Sequence, residues 1–176
     1  MPRMTNLEKF KKLDIKTEKL FKKLNSIPKN TLYCSSNKWS ILQILYHVWL
    51  VEISSEKYIR TKIQYPETII STPALSYLRA FITKCFLNIG FTVKAPKITT
   101  EFPEEINLII LQENWRKSRA SFLKLIKELD QRRLSKLAVF KHPLIGRINL
   151  NLTLYFFDFH LEHHLKQVEK KLAILS

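Results

Sequence analysis

Two histidines one helical turn apart, His160 and His164, are the residues of this chain whose type and spacing point most directly to chemistry. They lie in the stretch NLNLTLYFFDFHLEHHLKQVEKKL, residues 149–172. On a helical wheel at about 100° per residue, Asp158, Glu162, Lys166 and Glu169 fall on one side, and Leu150, Thr153, Phe157, Val168 and Leu175 on the other. The stretch therefore reads as an amphipathic helix. His160 and His164 sit inside its apolar arc, about 40° apart, while His163 lies at the arc's margin beside Phe156 and Phe159. Such a pair is either two satisfied core histidines or two metal ligands, because one helical turn brings both ring nitrogens to a point about 2.0–2.1 Å from an ion. A third ligand from elsewhere decides between these readings.

His47 is the candidate for that third position. It belongs to a segment whose first half, from Ile41 to Val51, is apolar around nearly the whole helical circumference. Within this sleeve, Ser40, Gln43, His47, Ser54, Tyr58 and Thr61 form one polar stripe within about 40° of His47. The stripe is either the lining of a pocket or a set of groups bonded to one another and to backbone. Pointed across a helical interior at His160 and His164, His47 would complete three imidazoles around one point. Such a site leaves coordination positions for water or substrate and is of the catalytic type.

Positioning these residues is the work of a few long helices. Thr5 and Glu8 stand in capping-box spacing ahead of Leu7, Phe10, Leu13, Leu20, Phe21 and Leu24, which predicts a first helix over 5–27, ended by Pro28. After the polar, turn-prone PKNTLYCSSNK comes a second helix over 40–65, with Ser40 as N-cap, Gln43 at N3 and Trp39 stapled on Ile44. Residues 66–103 hold a further apolar helical segment, ALSYLRAFITKCFL, between Pro73 and Gly90. Arg79 and Lys84 interrupt it, so it reads as an outer or lid helix, with a position flat on a membrane as the alternative. FTVKAPKITTEFP then reads as extended. A third long helix is expected from Pro103 to Leu129, with Pro103 at N1, Glu104 and Glu105 in the first turn, and Ile106, Ile109, Ile110, Trp115, Phe122, Leu125 and Ile126 facing the core. A second long connection leads to Asn149, the N-cap of the last helix. His142, before a proline in that connection, reads as a loop residue near the end of the bundle, with contact with the site as the lesser alternative.

Composition bounds the rest. A chain of 176 residues, 45% hydrophobic, buries one core and forms one domain, 1–176. Two glycines and seven prolines leave little material for β-turns, so the fold class is all-α. No apolar run reaches the length of a membrane span, and the charged start MPRMTNLEKFKKL does not suit a signal peptide, which points to the cytoplasm. Cys34 and Cys85 have no metal spacing and make no disulfide framework. The formal charge of +15 is spread along the chain in patterns such as EKFKKL, without a nucleic-acid-reading motif. No specific nucleic acid is expected, although a basic surface for nucleic acid or an anionic membrane stays open. Nucleophile elbows, phosphate loops and paired acid–base carboxylates are absent from the sequence.

Three segments, KWSILQILYHVWLVE (38–52), FKHPLIGRINL (140–150) and HLEHHLKQVEK (160–170), together resemble the DinB-like superfamily. Its pattern is a Trp-Ser helix start, one histidine on the second helix, a His-Pro-Gly loop, and HxxxH followed by Gln on the last helix. The resemblance implies a four-helix bundle in the up-down-down-up arrangement, with the additional helix in the long connection between bundle helices 2 and 3. It implies a divalent cation, zinc or nickel, held by His47, His160 and His164, and a homodimer. It also implies a metal-dependent S-transferase joining a low-molecular-weight thiol such as bacillithiol or mycothiol to a small electrophile, or a related hydrolase. The alternative from another class is a noncatalytic bundle that binds a metal or small ligand through the same residues. Gln43, Ser54, Tyr58, His163 and Gln167 are the pocket or supporting candidates. Glu52 points about 140° away from His47 and suits helix packing or a partner contact better.

Overall fold

The four long helices of this chain start at side chains that satisfy the first orphan backbone N–H groups. The computed structural model describes residues 4–34, 39–91 and 96–175. Helix α1, Asn6–Leu24, opens on the expected capping box: the Thr5 hydroxyl accepts from the Glu8 N–H, and the Glu8 carboxylate accepts from the Thr5 N–H at 2.8 Å. It buries Phe10, Leu13, Leu20, Phe21 and Leu24 along one face. Pro28 then caps a single short helix, α2, Lys29–Tyr33, where a polar turn was expected, because Leu32 turns inward and is 2% exposed. Residues 35–38 of that connection lie outside the described residues.

Helix α3, Ile41–Lys62, carries the second capping box, with Ser40 and Gln43 exchanging backbone hydrogen bonds as expected. The apolar helical segment is α4, Ala74–Asn88, closed by Gly90, whose φ of +83° suits glycine. It is an outer helix that packs on the last helix of the chain. Of the stretch expected to be extended, Lys97–Thr99 forms a 3₁₀ turn and residues 92–95 lie outside the described ones.

Helix α5 differs from expectation at its start. It runs Leu108–Gln131, not from Pro103, because Asn107 is the stronger cap: its side-chain Oδ1 accepts from the N–H groups of both Ile109 and Ile110. Residues 101–107 are therefore nonhelical, and Glu104 and Glu105 fall outside the first turn. This register also corrects the face. Leu111, Trp115, Phe122, Leu125, Ile126 and Leu129 are buried as one stripe, whereas Ile109 and Ile110 are 62% and 57% exposed. The latter two lie roughly 120–140° around the helix from Trp115.

The all-α expectation holds for the bulk of the chain, with one exception. Strands β1, Phe140–His142, and β2, Gly146–Ile148, pair antiparallel in the second connection, in register Phe140↔Ile148, Lys141↔Arg147 and His142↔Gly146. One glycine in the right place is enough for this hairpin. Gly146, at φ +91°, closes a three-residue loop in the left-handed region. Helix α6, Leu150–Leu175, follows, with the Asn149 side chain accepting from Leu152 N–H as the sequence predicts.

The four long helices touch in a closed ring: α1 on α5, α5 on α3, α3 on α6 and α6 on α1. Their inward faces form one apolar core that also takes in Ile145 and Ile148 of the hairpin. Glu52, on the α5 side of α3, is buried in this core and ion-paired to Arg119, with both carboxylate oxygens accepting from the guanidinium at 2.7 Å. The Trp115 indole donates to the same carboxylate at 3.0 Å. The residue thus serves helix packing, away from the histidines. No described helix is long and apolar enough to cross a membrane.

Candidate metal centre

His47 on α3 and His160 and His164 on α6 meet at the contact of these two helices. One ring nitrogen from each lies within 4.8 Å of the others, and all three side chains are buried. Ring centroids are 5.3 Å apart for His47–His160, 5.0 Å for His47–His164 and 4.6 Å for His160–His164. The spacing that made the last two neighbours on a wheel therefore brings their rings edge to face, and the polar stripe of α3 supplies the third.

Hydrogen bonding fixes which nitrogens carry protons. A carbonyl oxygen can only accept, so the Nδ1 of His47, 2.8 Å from the Thr99 carbonyl, is the protonated nitrogen and its Nε2 keeps a lone pair. A longer chain of the same kind runs along α6. His163 Nδ1 donates to the Leu87 carbonyl at 2.9 Å, so its Nε2 accepts from the Gln167 amide at 2.9 Å. The Gln167 carbonyl oxygen in turn accepts from His164 Nδ1 at 2.8 Å, which leaves His164 Nε2 unprotonated. Gln167 and His163 thus act on the site by orienting a ring.

Burial keeps the rings neutral. Desolvation, with the neighbouring rings His164 and His47 adding to it, holds His160 well below the ordinary histidine range. The same cause brings His164 down to about 3, the hydrogen bond to Gln167 opposing it. His47 is lowered by burial too, against the pull of the Thr99 carbonyl. Neutral imidazoles with free lone pairs are the form a divalent cation needs. The donor set fits such an ion.

Around the three rings the walls are aromatic. Trp39 lies 5.0 Å from His47 and edge-on to Phe102, while Phe156 stacks on His160 at 5.1 Å and 28°. His142 is not the loop residue expected. It ends strand β1, buried edge-to-face against Phe156 at 4.2 Å, and its Nδ1 accepts from the N–H groups of Leu144 and Ile145 in the hairpin turn. Desolvation brings it down to about 4.

Of the remaining stripe residues, Ser54 and Tyr58 are not brought to the rings. Gln43 is spent on the Ser40 cap, half-buried Ser54 stands two turns, about 10 Å, along α3 from His47, and Tyr58 is 39% exposed against Phe140. Cys34 and Cys85 are exposed free thiols. What the sequence did not disclose is the pair of backbone carbonyls, Leu87 and Thr99, that sets two of the rings; a carbonyl carries no side-chain signature.

No family model, curated protein or solved structure matches the chain.

Proposed function

We propose that this chain is a divalent-metal protein of the DinB-like kind, a four-helix bundle in the up-down-down-up order that holds zinc or nickel through His47, His160 and His164. The observation that carries the reading is the convergence of three buried, neutral imidazoles, two of them with Nε2 lone pairs fixed by the acceptors on their Nδ1 atoms, the Thr99 carbonyl for His47 and the Gln167 side chain for His164. The closed ring of contacts among α1, α5, α3 and α6 supports the bundle. A homodimer belongs to the same reading and is tested by sedimentation of the purified chain.

The activity we assign is transfer of a low-molecular-weight thiol, of the bacillithiol or mycothiol type, to a small electrophile, or a related hydrolysis. When bound, the cation supplies Lewis-acid activation of a thiol or water near neutral pH. The chain's own residues do the rest: Thr99 and Gln167 hold the ligand rings in one tautomer, and Trp39, Phe102 and Phe156 exclude bulk water.

A second reading, a noncatalytic metal or small-ligand binder, is favoured by one observation. The three rings are at most 9% exposed, behind aromatic side chains. Metal-loaded protein assayed against panels of thiols and electrophiles separates the two. Thiol consumption or hydrolysis that disappears in His160→Ala supports the enzyme; turnover equal to that of the metal-free chain supports the binder.

A further inference from the structure

Helix α4 leaves an apolar face bare. Ser76 and Ala80 are buried, and the opposite side of the helix, an arc of about 100°, presents Leu75, Leu78, Ile82 and Phe86 at 42–55% exposure, continued by Ile89 at 78%. Of the eighteen large hydrophobic residues exposed among the described residues, ten fall between Ile70 and Ile98. Six of these lie on α4 itself, and a concentration of this kind marks a docking surface.

The charge around it states what docks there. Between Glu67 and Glu101 the sequence has no acidic residue. The β hairpin packs against the Ser76 flank of α4, and the Arg79 guanidinium, which falls on the helical wheel between Ser76 and the stripe, lies close over Gly146. Next to Gly146 the register sets Lys141 directly opposite Arg147, both exposed. Like charges placed opposite one another destabilise a strand pair, so this pair suits an anion between or above them. Among the described residues, Arg79, Lys141 and Arg147 have no acidic partner. Leu144, at the hairpin tip, is 47% exposed.

The geometry points to α4 and the hairpin as a peripheral docking face for an anionic lipid bilayer, with the α4 stripe entering the headgroup–acyl boundary and Arg79, Lys141 and Arg147 meeting lipid phosphates. A second copy fits less well, since it would bring these unpaired cations against their own kind in a chain of net charge +15. Nucleic acid offers phosphates but nothing against which to bury the apolar ridge.

Flotation with vesicles of phosphatidylcholine alone, and of phosphatidylcholine with phosphatidylglycerol, tests this on the full chain. Binding is expected only with phosphatidylglycerol, falling as salt rises. It is expected to fall about tenfold or more in Leu78→Asp/Phe86→Asp and in Lys141→Glu/Arg147→Glu, whose changes are all at exposed positions. A polarity-sensitive label on exposed Cys85, in a Cys34→Ser background, checks the face without altering the stripe: its emission shifts to the blue on the anionic vesicles alone. Equal binding to both vesicles, no flotation, or an unshifted label overturns the proposal. So does a stable dimer that Leu78→Asp/Phe86→Asp splits, which would assign the face to a second copy.

Discussion

The Nε2 atoms of His160 and His164 stand 3.1 Å apart. The hydrogen-bond chain through Gln167 and His163 leaves a lone pair on the His164 atom, so something positive must lie between the two nitrogens. That is either a proton on His160 or a cation. Two nitrogens each about 2.0–2.1 Å from one ion, at angles between 90° and the tetrahedral value, are about 2.8–3.4 Å apart, so the spacing suits both. The presence of His47 beside them, with its own Nε2 free, favours the cation.

If Gln167 sets the tautomer of His164, then Gln167→Leu weakens cation binding about 10- to 100-fold without unfolding the chain. Gln167→Glu keeps an acceptor for His164 Nδ1 and retains more of the affinity. Competition with a chromogenic chelator measures both.

The Glu52–Arg119 pair is buried on both sides, and Arg119 Nη1 has no hydrogen-bond partner, its nearest carboxylate being Asp14 at 3.9 Å. Removing one partner strands the other charge in the core. Glu52→Leu is expected to cost about 3–5 kcal/mol, and Glu52→Leu/Arg119→Met to recover most of it. Urea unfolding followed by tryptophan fluorescence reads the difference, and metal content is expected to be unchanged in the double variant.

His142 gives a pH signature. Its folded pKa, about 4, lies below the unfolded value of 6.5, so its contribution is fully present above about pH 6.5 and is lost as pH falls toward 4. The unfolded chain binds the extra proton in that window. His142→Asn keeps an acceptor for Leu144 and Ile145 N–H but does not titrate. It is expected to lower proton uptake on unfolding by about one between pH 4 and 6.5, a difference of at most about 3 kcal/mol, read from thermal melts across that range.

Gly146→Ala isolates backbone strain from packing. An added Cβ meets only ordinary contacts, 3.6 Å from Arg79 Nη1 and Ser76 Oγ, so the cost comes from the φ of +91°. About 1–2 kcal/mol of destabilisation is expected in chemical denaturation.

Much of this was legible in the residues. The Thr5, Ser40 and Asn149 caps stand where local chemistry puts them, and the wheel positions of His47, His160 and His164 anticipated their meeting. The start of α5 differs because proline and two glutamates form a good first turn, while Asn107, four residues after Pro103, satisfies two backbone donors at once. His142 was misread because a residue before proline suggests a loop, and the pairing that buries it depends on a single glycine. Wheel angle alone overextended the site along α3: it places Ser54 and Tyr58 in line with His47 but says nothing of the rise that separates them.

His47, His160 and His164 are proposed to share one divalent cation. Elemental analysis of the purified chain, reconstituted with zinc or nickel and freed of loosely bound metal, beside a folded His160→Ala variant, tests it most directly. Close to one ion per chain is expected in the unaltered protein and close to none in the variant. Equal metal content in the two would contradict it.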